Sequence, residues 1–438
     1  MPRGIPNPKK DDFGMRYTSM HVPLAPNPKH MGTSYLKSES QTLWARNAAR
    51  KQTTPSEDMP APPDQSNQHR RGSQVVVIHP GSRYLRIGRA SDVTPISIPN
   101  VIARQHKPPT PEPTYVESIA RPRKGRNERS STPQPPNGDE YAVAPPSDDP
   151  FEVKLASITV SLRERMRFYK LRVTPNAASI ASTFNEQFKP EIIHEYNDPF
   201  QVDWIHEPFP DNTCLTGEKV WPWPLSYTVR WPINGHNFNS KDYPSVQMIL
   251  DDIETIISIV LEEKLNIKRR EFKNFSVMLV IPDVYDRVYV REFVNIILVS
   301  LGFKQICESL ATTYGAGISN ACVVDIGAVK SSIACVAEGL VIADSRMSLN
   351  MGGDDITEFL YVLLERISFP YRDINLARWD DWLVMEDLKS RLCTLAEGDV
   401  ALNLYDFIVR RYGHPTEKYG LRAYDEIILA PMVRIFNP

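Results

Sequence analysis

This sequence is short of cysteine, has no long apolar run and carries no excess of charge of either sign. Its five cysteines, Cys214, Cys307, Cys322, Cys335 and Cys393, are widely spaced with no C-x-x-C pair, which argues against both a disulfide framework and a zinc site. The expected compartment is reducing. Lys plus Arg number 51 and Asp plus Glu 53, a formal charge of −2 at pH 7. A polycationic surface is thereby excluded, and any contact with nucleic acid must be local. The longest apolar stretches, such as residues 294–301, stop far short of the roughly 18 residues a membrane span needs. The amino terminus, Met-Pro-Arg-Gly-Ile-Pro, has no apolar signal core. A soluble intracellular protein with no membrane partner is the expectation.

What is present is length and proline. The 438 residues suit about three domain-sized units or one large α/β fold. The apolar content of 41% lies a little below the usual range of about 45–50%, and the 38 prolines are well above an average near 5%, so part of the chain is not expected to pack. Residues 1–73 are rich in Pro, Lys, Arg, Ser, Asn and Gln without helical or strand period, with 11 basic and 6 acidic residues. This reads as a disordered, mildly basic tail, either merely solvated or in contact with DNA or phosphate. Residues 107–150 hold 11 prolines in 44 residues together with Arg121-Pro-Arg-Lys-Gly-Arg126. They read as a disordered proline-rich insertion within a folded region of residues 74–438.

Between these segments the pattern alternates strands and helices. Val75-Val76-Val77-Ile78 predicts an apolar strand, His79-Pro80-Gly81-Ser82 a turn, and residues 84–87 a returning strand. Residues 158–171, with Arg163, Arg165, Arg167 and Lys170, predict a basic amphipathic helix whose charges face solvent or a phosphate. Ile249, Ile253, Ile256, Ile257 and Val260 recur at spacings of three and four, predicting a buried helix over 246–262 behind a start region at 242–245. Residues 275–281 predict a strand, 287–301 a helix closed by Gly302, and 322–327 a second apolar strand running into a glycine turn with its return at 331–336. Helices follow around Ile356, Phe359, Leu360 and Leu363 and around Val384, Leu388 and Leu392. The two hairpins, about 250 residues apart, suggest an internal duplication in an α/β frame.

Two small-residue loops after apolar strands can converge on one phosphate chain, because glycine lets backbone N–H groups approach the oxygens and a serine adds a donor. A carboxylate on the second loop would hold magnesium through water. His79-Pro80-Gly81-Ser82 and Asp325-Ile326-Gly327-Ala328 fit that scheme. The run from Val75 through Arg83 and Arg86 to Arg104, together with Asp325-Ile-Gly-Ala and Asn350-Met-Gly-Gly-Asp-Asp-Ile-Thr357, resembles the two phosphate loops of the actin family. With Tyr227 to Asn239 and the segment from Val280, the likeness spans most of residues 74–438.

The resemblance implies an α/β, actin-like, duplicated fold with a two-lobed nucleotide cleft. It makes Gly81, Ser82, Arg83, Arg86, Asp325, Ile326, Gly327 and Ala328 the candidate contacts to ATP, and Asp325 a weak magnesium position acting through water. The helix Ser161-Leu-Arg-Glu-Arg-Met-Arg-Phe-Tyr169 and Leu421-Arg-Ala-Tyr-Asp-Glu426 are similar to those of a nuclear actin-related branch of the family. That branch implies a non-catalytic scaffold of a chromatin-remodelling complex, working beside actin, another actin-related protein and a remodelling ATPase. It also implies contacts to nucleosomal or linker DNA and histones, in transcription regulation and DNA repair. Arg121, Arg123, Lys124 and Arg126 are the DNA-contact candidates.

Several residues depart from the family pattern. His79 stands in place of the first-loop aspartate, Arg83 in place of a glycine, Arg86 in place of a lysine, Ala328 in place of the second aspartate and Val329 in place of the second glycine. Glu308 stands where the resemblance puts a water-orienting glutamine, and a negative charge there would repel the attacked phosphate. Residues 303–308 look shorter than the family's strand, and the chain stops at Pro438 where the family continues, so the cleft is expected to be incomplete. The alternatives are an actin-like or sugar-kinase-like ATPase using Ser82 and Asp325, and a fragment with no stable fold.

Overall fold

A computed structural model describes residues 72–105, 114–115, 150–194, 198, 201–202, 204, 214–221, 227–309, 313 and 318–432. The tail of residues 1–73 apart from Gly72 and Ser73, and the insertion apart from Thr114, Tyr115 and Pro150, lie outside the described residues, as do Arg121, Arg123, Lys124 and Arg126. Every described residue but Ile318 belongs to one compact unit made of residues 69–313 and 319–438.

In chain order, β1 (Val75–Pro80), β2 (Tyr84–Arg89) and β3 (Ile96–Pro99) form an antiparallel meander, and β4 (Ile102–Gln105) starts a separate sheet. Then come α1 (Pro150–Phe168), α2 (Ala177–Gln187), β5 (Glu191–Ile193), β6 (Cys214–Thr216), β7 (Tyr227–Arg230), β8 (Ile233–Asn234) and β9 (Asn237–Phe238). They are followed by α3 (Val246–Leu265), β10 (Ser276–Val280), α4 (Arg287–Asn295) and β11 (Gln305–Ser309). The second hairpin is β12 (Ala321–Ile326) with β13 (Ser331–Ala337), joined by β14 (Leu340–Val341) and β15 (Met347–Leu349). Last come α5 (Gly353–Arg366), α6 (Trp379–Leu392), β16 (Asn403–Val409), β17 (Thr416–Ala423) and the short α7 (Glu426–Leu429).

The first lobe is a five-stranded mixed sheet in the order β11-β10-β1-β2-β3. β1 runs parallel to β10, pairing Val76 with Val277, and antiparallel to β2, pairing Ile78 with Ile87. Strand alternation sends Val76, Ile78, Leu85 and Ile87 into one core with Ile249, Ile253, Ile256, Ile257 and Val260 of α3. Each such side chain, fully buried, contributes about 1.5–3 kcal/mol. α3 starts where Ser245 Oγ accepts the Met248 N–H at 3.4 Å and stops at Asn266 in the left-handed conformation, φ 52°. The helix predicted over 287–301 is α-helical only to Asn295 and continues as a π turn, Ile296–Ser300, ended by Gly302 at φ 73°. β11, expected to be clipped, pairs over all five residues with β10, Glu308 opposite Leu279.

A second core gathers Phe359, Leu360 and Leu363 of α5, Met385, Leu388 and Leu392 of α6, and Phe407, Tyr419 and Leu421 of β16 and β17. Phe369 and Tyr419 stack on the two sides of Phe407 at 5.3 Å each. α1 begins eight residues before its predicted start, with Pro150 in the first turn, where a missing N–H costs nothing. The solvated or phosphate-facing role expected of its arginines is corrected at Arg163. Its guanidinium is buried against Asp425 at 2.5 Å, both side chains 7% exposed. Arg165, largely exposed, pairs with Glu397 at 2.7 Å. Among the described residues no helix is long and apolar enough to cross a membrane.

Candidate functional site

The two hairpins turn identically. Gly81 N–H donates to Tyr84 O at 3.0 Å, and Gly327 N–H donates to Lys330 O at 2.9 Å. At either glycine an added Cβ would lie 2.8 Å from that same carbonyl, so both positions require glycine for space rather than for dihedral freedom. The first loop is braced by Asn100, whose Nδ2 donates to Gly81 O at 2.7 Å and whose N–H donates to Arg83 O at 2.9 Å. The second is braced by the start of α5: Gly353 N–H donates to Gly327 O at 2.9 Å and Asp354 N–H to Ala328 O at 2.8 Å. Gly352 makes that approach possible, since a Cβ there would meet Ala328 O at 2.3 Å.

The loops face one cavity of about 230 Å³, lined by Gly81, Ser82, Arg83, Arg86, Asp325, Ile326, Gly327 and Ala328 together with His79. All eight nucleotide-contact candidates therefore meet at one place. Sequence reasoning missed Gly235, His236, Asp283, Tyr289 and Lys330, which also line it. Gly235 and His236 are the two-residue loop of the β8–β9 hairpin. The Asn234-Gly235 dipeptide signals a turn, but nothing in it shows that the turn reaches Ser82. It does so by hydrogen bond: Gly235 N–H donates to Ser82 Oγ at 2.8 Å.

Arg83, which lines the cavity, has its guanidinium held by Asp354, with Nη2 2.8 Å and Nε 2.9 Å from Oδ2. It also lies over Trp231 at 4.7 Å and Trp382 at 5.0 Å from the ring centroids. Trp379 stacks on Trp221 at 4.3 Å beside it. A long cation at the first loop is thus clamped to the segment that braces the second. Trp379 and Trp382, three residues apart on α6, share a helix face, the one signal in the sequence that could have indicated this.

The charges are arranged for an anion more than for a metal. Burial, then the neighbouring Arg86, lowers the His79 pKa, against a smaller opposing pull from Asp325, so the imidazole is neutral at pH 7. Burial and Lys330 likewise lower His236, whose Nδ1 is buried without a hydrogen-bond partner. Glycine turns, Ser82, Arg86 and Lys330 fit a phosphate chain. The donor set does not fit a directly ligated magnesium: among the described residues no group of three His, Cys, Asp or Glu side chains could hold an ion. The Glu308 side chain lies outside the description.

Two equivalent glycine hairpins opening on one cavity, in an α/β frame, are the arrangement of an actin-like fold. The actin family model matches residues 248–379, and the chain belongs to the actin family. It is 30% identical to a solved structure, human actin-related protein Arp8 in its ATP-bound state, with a TM-score of 0.71 over 86% of this chain and 73% of that one. It is 36% identical over 371 residues to the actin-like protein ARP8 of Saccharomyces cerevisiae, covering 83% of this chain and 39% of that protein. It is 34% identical to human actin-related protein 8, covering 83% and 56%. The chain thus spans about half the length of the curated relatives it matches.

Proposed function

We propose that this chain is a nucleotide-holding, non-catalytic scaffold subunit of a nuclear chromatin-remodelling complex. The observation that carries the reading is the combination of intact loop geometry with altered loop chemistry. Gly81 and Gly327 keep the turns that present backbone donors to phosphate, while neutral His79 and Ala328 stand where the family places carboxylates around its metal. Similarity to a relative solved with ATP supports that nucleotide as the ligand. Asp325 would act on magnesium only weakly, through water, and Glu308 would not orient an attacking water. As a scaffold the chain would stand beside actin, a second actin-related protein and a remodelling ATPase, and would touch linker DNA and histones in transcription regulation and DNA repair.

The test is titration of the purified chain with ATP, with and without magnesium, alongside single-turnover hydrolysis. Binding of similar strength in chelator, without turnover, is expected. Turnover abolished by Asp325→Ala would overturn the reading in favour of an ATPase. For DNA, neutralising Arg121, Arg123, Lys124 and Arg126 together should weaken linker-DNA affinity and flatten its salt dependence; unchanged affinity and slope would remove that assignment.

A further inference from the structure

A pair of cysteines lies on the side of the β12–β13 ladder away from the cavity. The register sets Cys322 directly opposite Cys335. Cys335 turns both backbone groups away from β12: its carbonyl accepts the Ile342 N–H at 2.9 Å, and its own N–H donates to Ser345 Oγ at 2.9 Å. The N–H and C=O of a strand residue leave on the same side, so Cys322 and Cys335 form a non-hydrogen-bonded pair. In such pairs the Cα atoms stand about 4.5 Å apart with their side chains at closest approach, which falls within the roughly 4.4–6.8 Å that a disulfide spans. The Gly327 to Lys330 bond, five residues further along β12's path, has the parity this requires.

Cys322 is exposed and Cys335 half-buried, so a small reagent can reach the first and the second needs no journey. Val323 and Asp325 on β12, and Ser332 and Val336 on β13, line the nucleotide cavity. The cysteines have the opposite parity and point to the other face.

We propose that Cys322 and Cys335 are a reversible redox site, a cross-strand dithiol closed to an intrachain disulfide by a small-molecule disulfide of the glutathione class. One protein thiolate attacks a sulfur of oxidised glutathione, forming a mixed disulfide and expelling a glutathione thiolate. The facing thiolate attacks the protein sulfur of that mixed disulfide, forming the Cys322–Cys335 bond and expelling the second glutathione thiolate. The two protons lost by the protein protonate the two expelled thiolates, and the two electrons given up by the pair reduce one small disulfide. In a reducing compartment the pair rests open and closes under oxidative load.

The full chain is treated with oxidised glutathione, digested with trypsin and mapped by mass spectrometry. Lys330 lies between the two cysteines, so closure joins two tryptic peptides that reductant separates, and thiol titration in denaturant falls from five to three. Cys322→Ser and Cys335→Ser should each retain a glutathione adduct on the remaining cysteine in place of the link. Stable adducts on the unsubstituted chain without the joined peptides, a link through another cysteine, or a covalent dimer on a non-reducing gel would each overturn the proposal.

Discussion

Replacing Arg83 with alanine removes one side chain that joins the first phosphate loop to α5 and α6. Its bonds to Asp354 are charge-assisted and three-quarters or more buried, at 25% and 19% exposure, and such bonds are worth about 1.5–3 kcal/mol. Stacking on Trp231 and Trp382 adds about 1 kcal/mol for a partly desolvated cation. Part of the loss is recovered because Asp354, already raised in pKa by burial and held down by Arg83, simply takes a proton once the guanidinium is gone. A net cost of about 2–3 kcal/mol is expected, read as a fall in melting temperature of roughly 3–5 °C. Denaturant unfolding of Arg83→Ala, Asp354→Asn and the double variant, followed by tryptophan emission, checks this. The coupling energy should be about 1.5 kcal/mol. Arg83→Lys should fall between, because an ammonium lacks the planar fork. A coupling near zero with unchanged emission would refute the clamp. Because the guanidinium is committed elsewhere, Arg83→Ala should leave ATP affinity nearly unaltered, whereas Lys330→Ala should weaken it about tenfold or more if Lys330 bonds a phosphate.

Three further outcomes are expected. Glu426 is buried next to Asp425 and raised to about 7, first by burial and then by that neighbour. Its folded pKa lies above its unfolded value, so stability is greatest in acid and is lost as pH rises through 7; Glu426→Gln should gain roughly 2 kcal/mol over the unsubstituted chain between pH 5 and pH 8 in urea melts. Gly352→Ala forces a Cβ onto Ala328 O and should cost about 1–3 kcal/mol in chemical denaturation while weakening ATP binding through the displaced second loop. Arg163→Met strands Asp425 in the interior and should cost about 3–5 kcal/mol, most of it restored when Asp425→Leu is added, as differential scanning calorimetry of both variants would record.

The parts of the fold legible in the sequence are those where local pattern and burial agree. β1 is a continuous apolar run, β2 carries Leu85 and Ile87 two apart and α3 has apolar residues at a period of 3.6; Val76, Ile78, Leu85, Ile87 and the α3 isoleucines stand in the first core. Residues 150–157, which open α1 ahead of the start predicted at 158, mix Pro150, Glu152 and Lys154 with apolar residues and have no clean period. α2 and the β16–β17 pair carry little periodic signal either: α2 is rich in small residues, and β16 alternates only partly. β12 is the apolar strand predicted over 322–327, yet Val324 is 56% and Ile326 70% exposed, since an apolar run reports what a strand can bury and not which neighbour is there to cover it. At the site, the loop residues were legible because their spacing to a strand end is local. Arg83's destination was not, because Asp354 and Trp382 approach it from about 270 and 300 residues away in sequence.

Loop shape and loop chemistry are divided here between backbone and side chain. The shape of both loops rests on peptide groups, on two carbonyl contacts that only glycine allows, at Gly81 and Gly327, and on braces from Asn100 and Gly353. None of these groups titrates or ligates a metal. The departures from the actin pattern at His79, Ala328 and Glu308 lie wholly in side chains. A mutation that empties a side-chain role leaves the turn intact and costs the fold little, whereas one at Gly352 or Gly327 breaks the loop itself. A chain under demand to hold nucleotide without turning it over can therefore drift at the first set of positions while the second stays fixed. At Arg83 the charge is neutralised by Asp354, and the length of the side chain is spent tying the first loop to the segment that braces the second, a structural use that a glycine at that position could not supply.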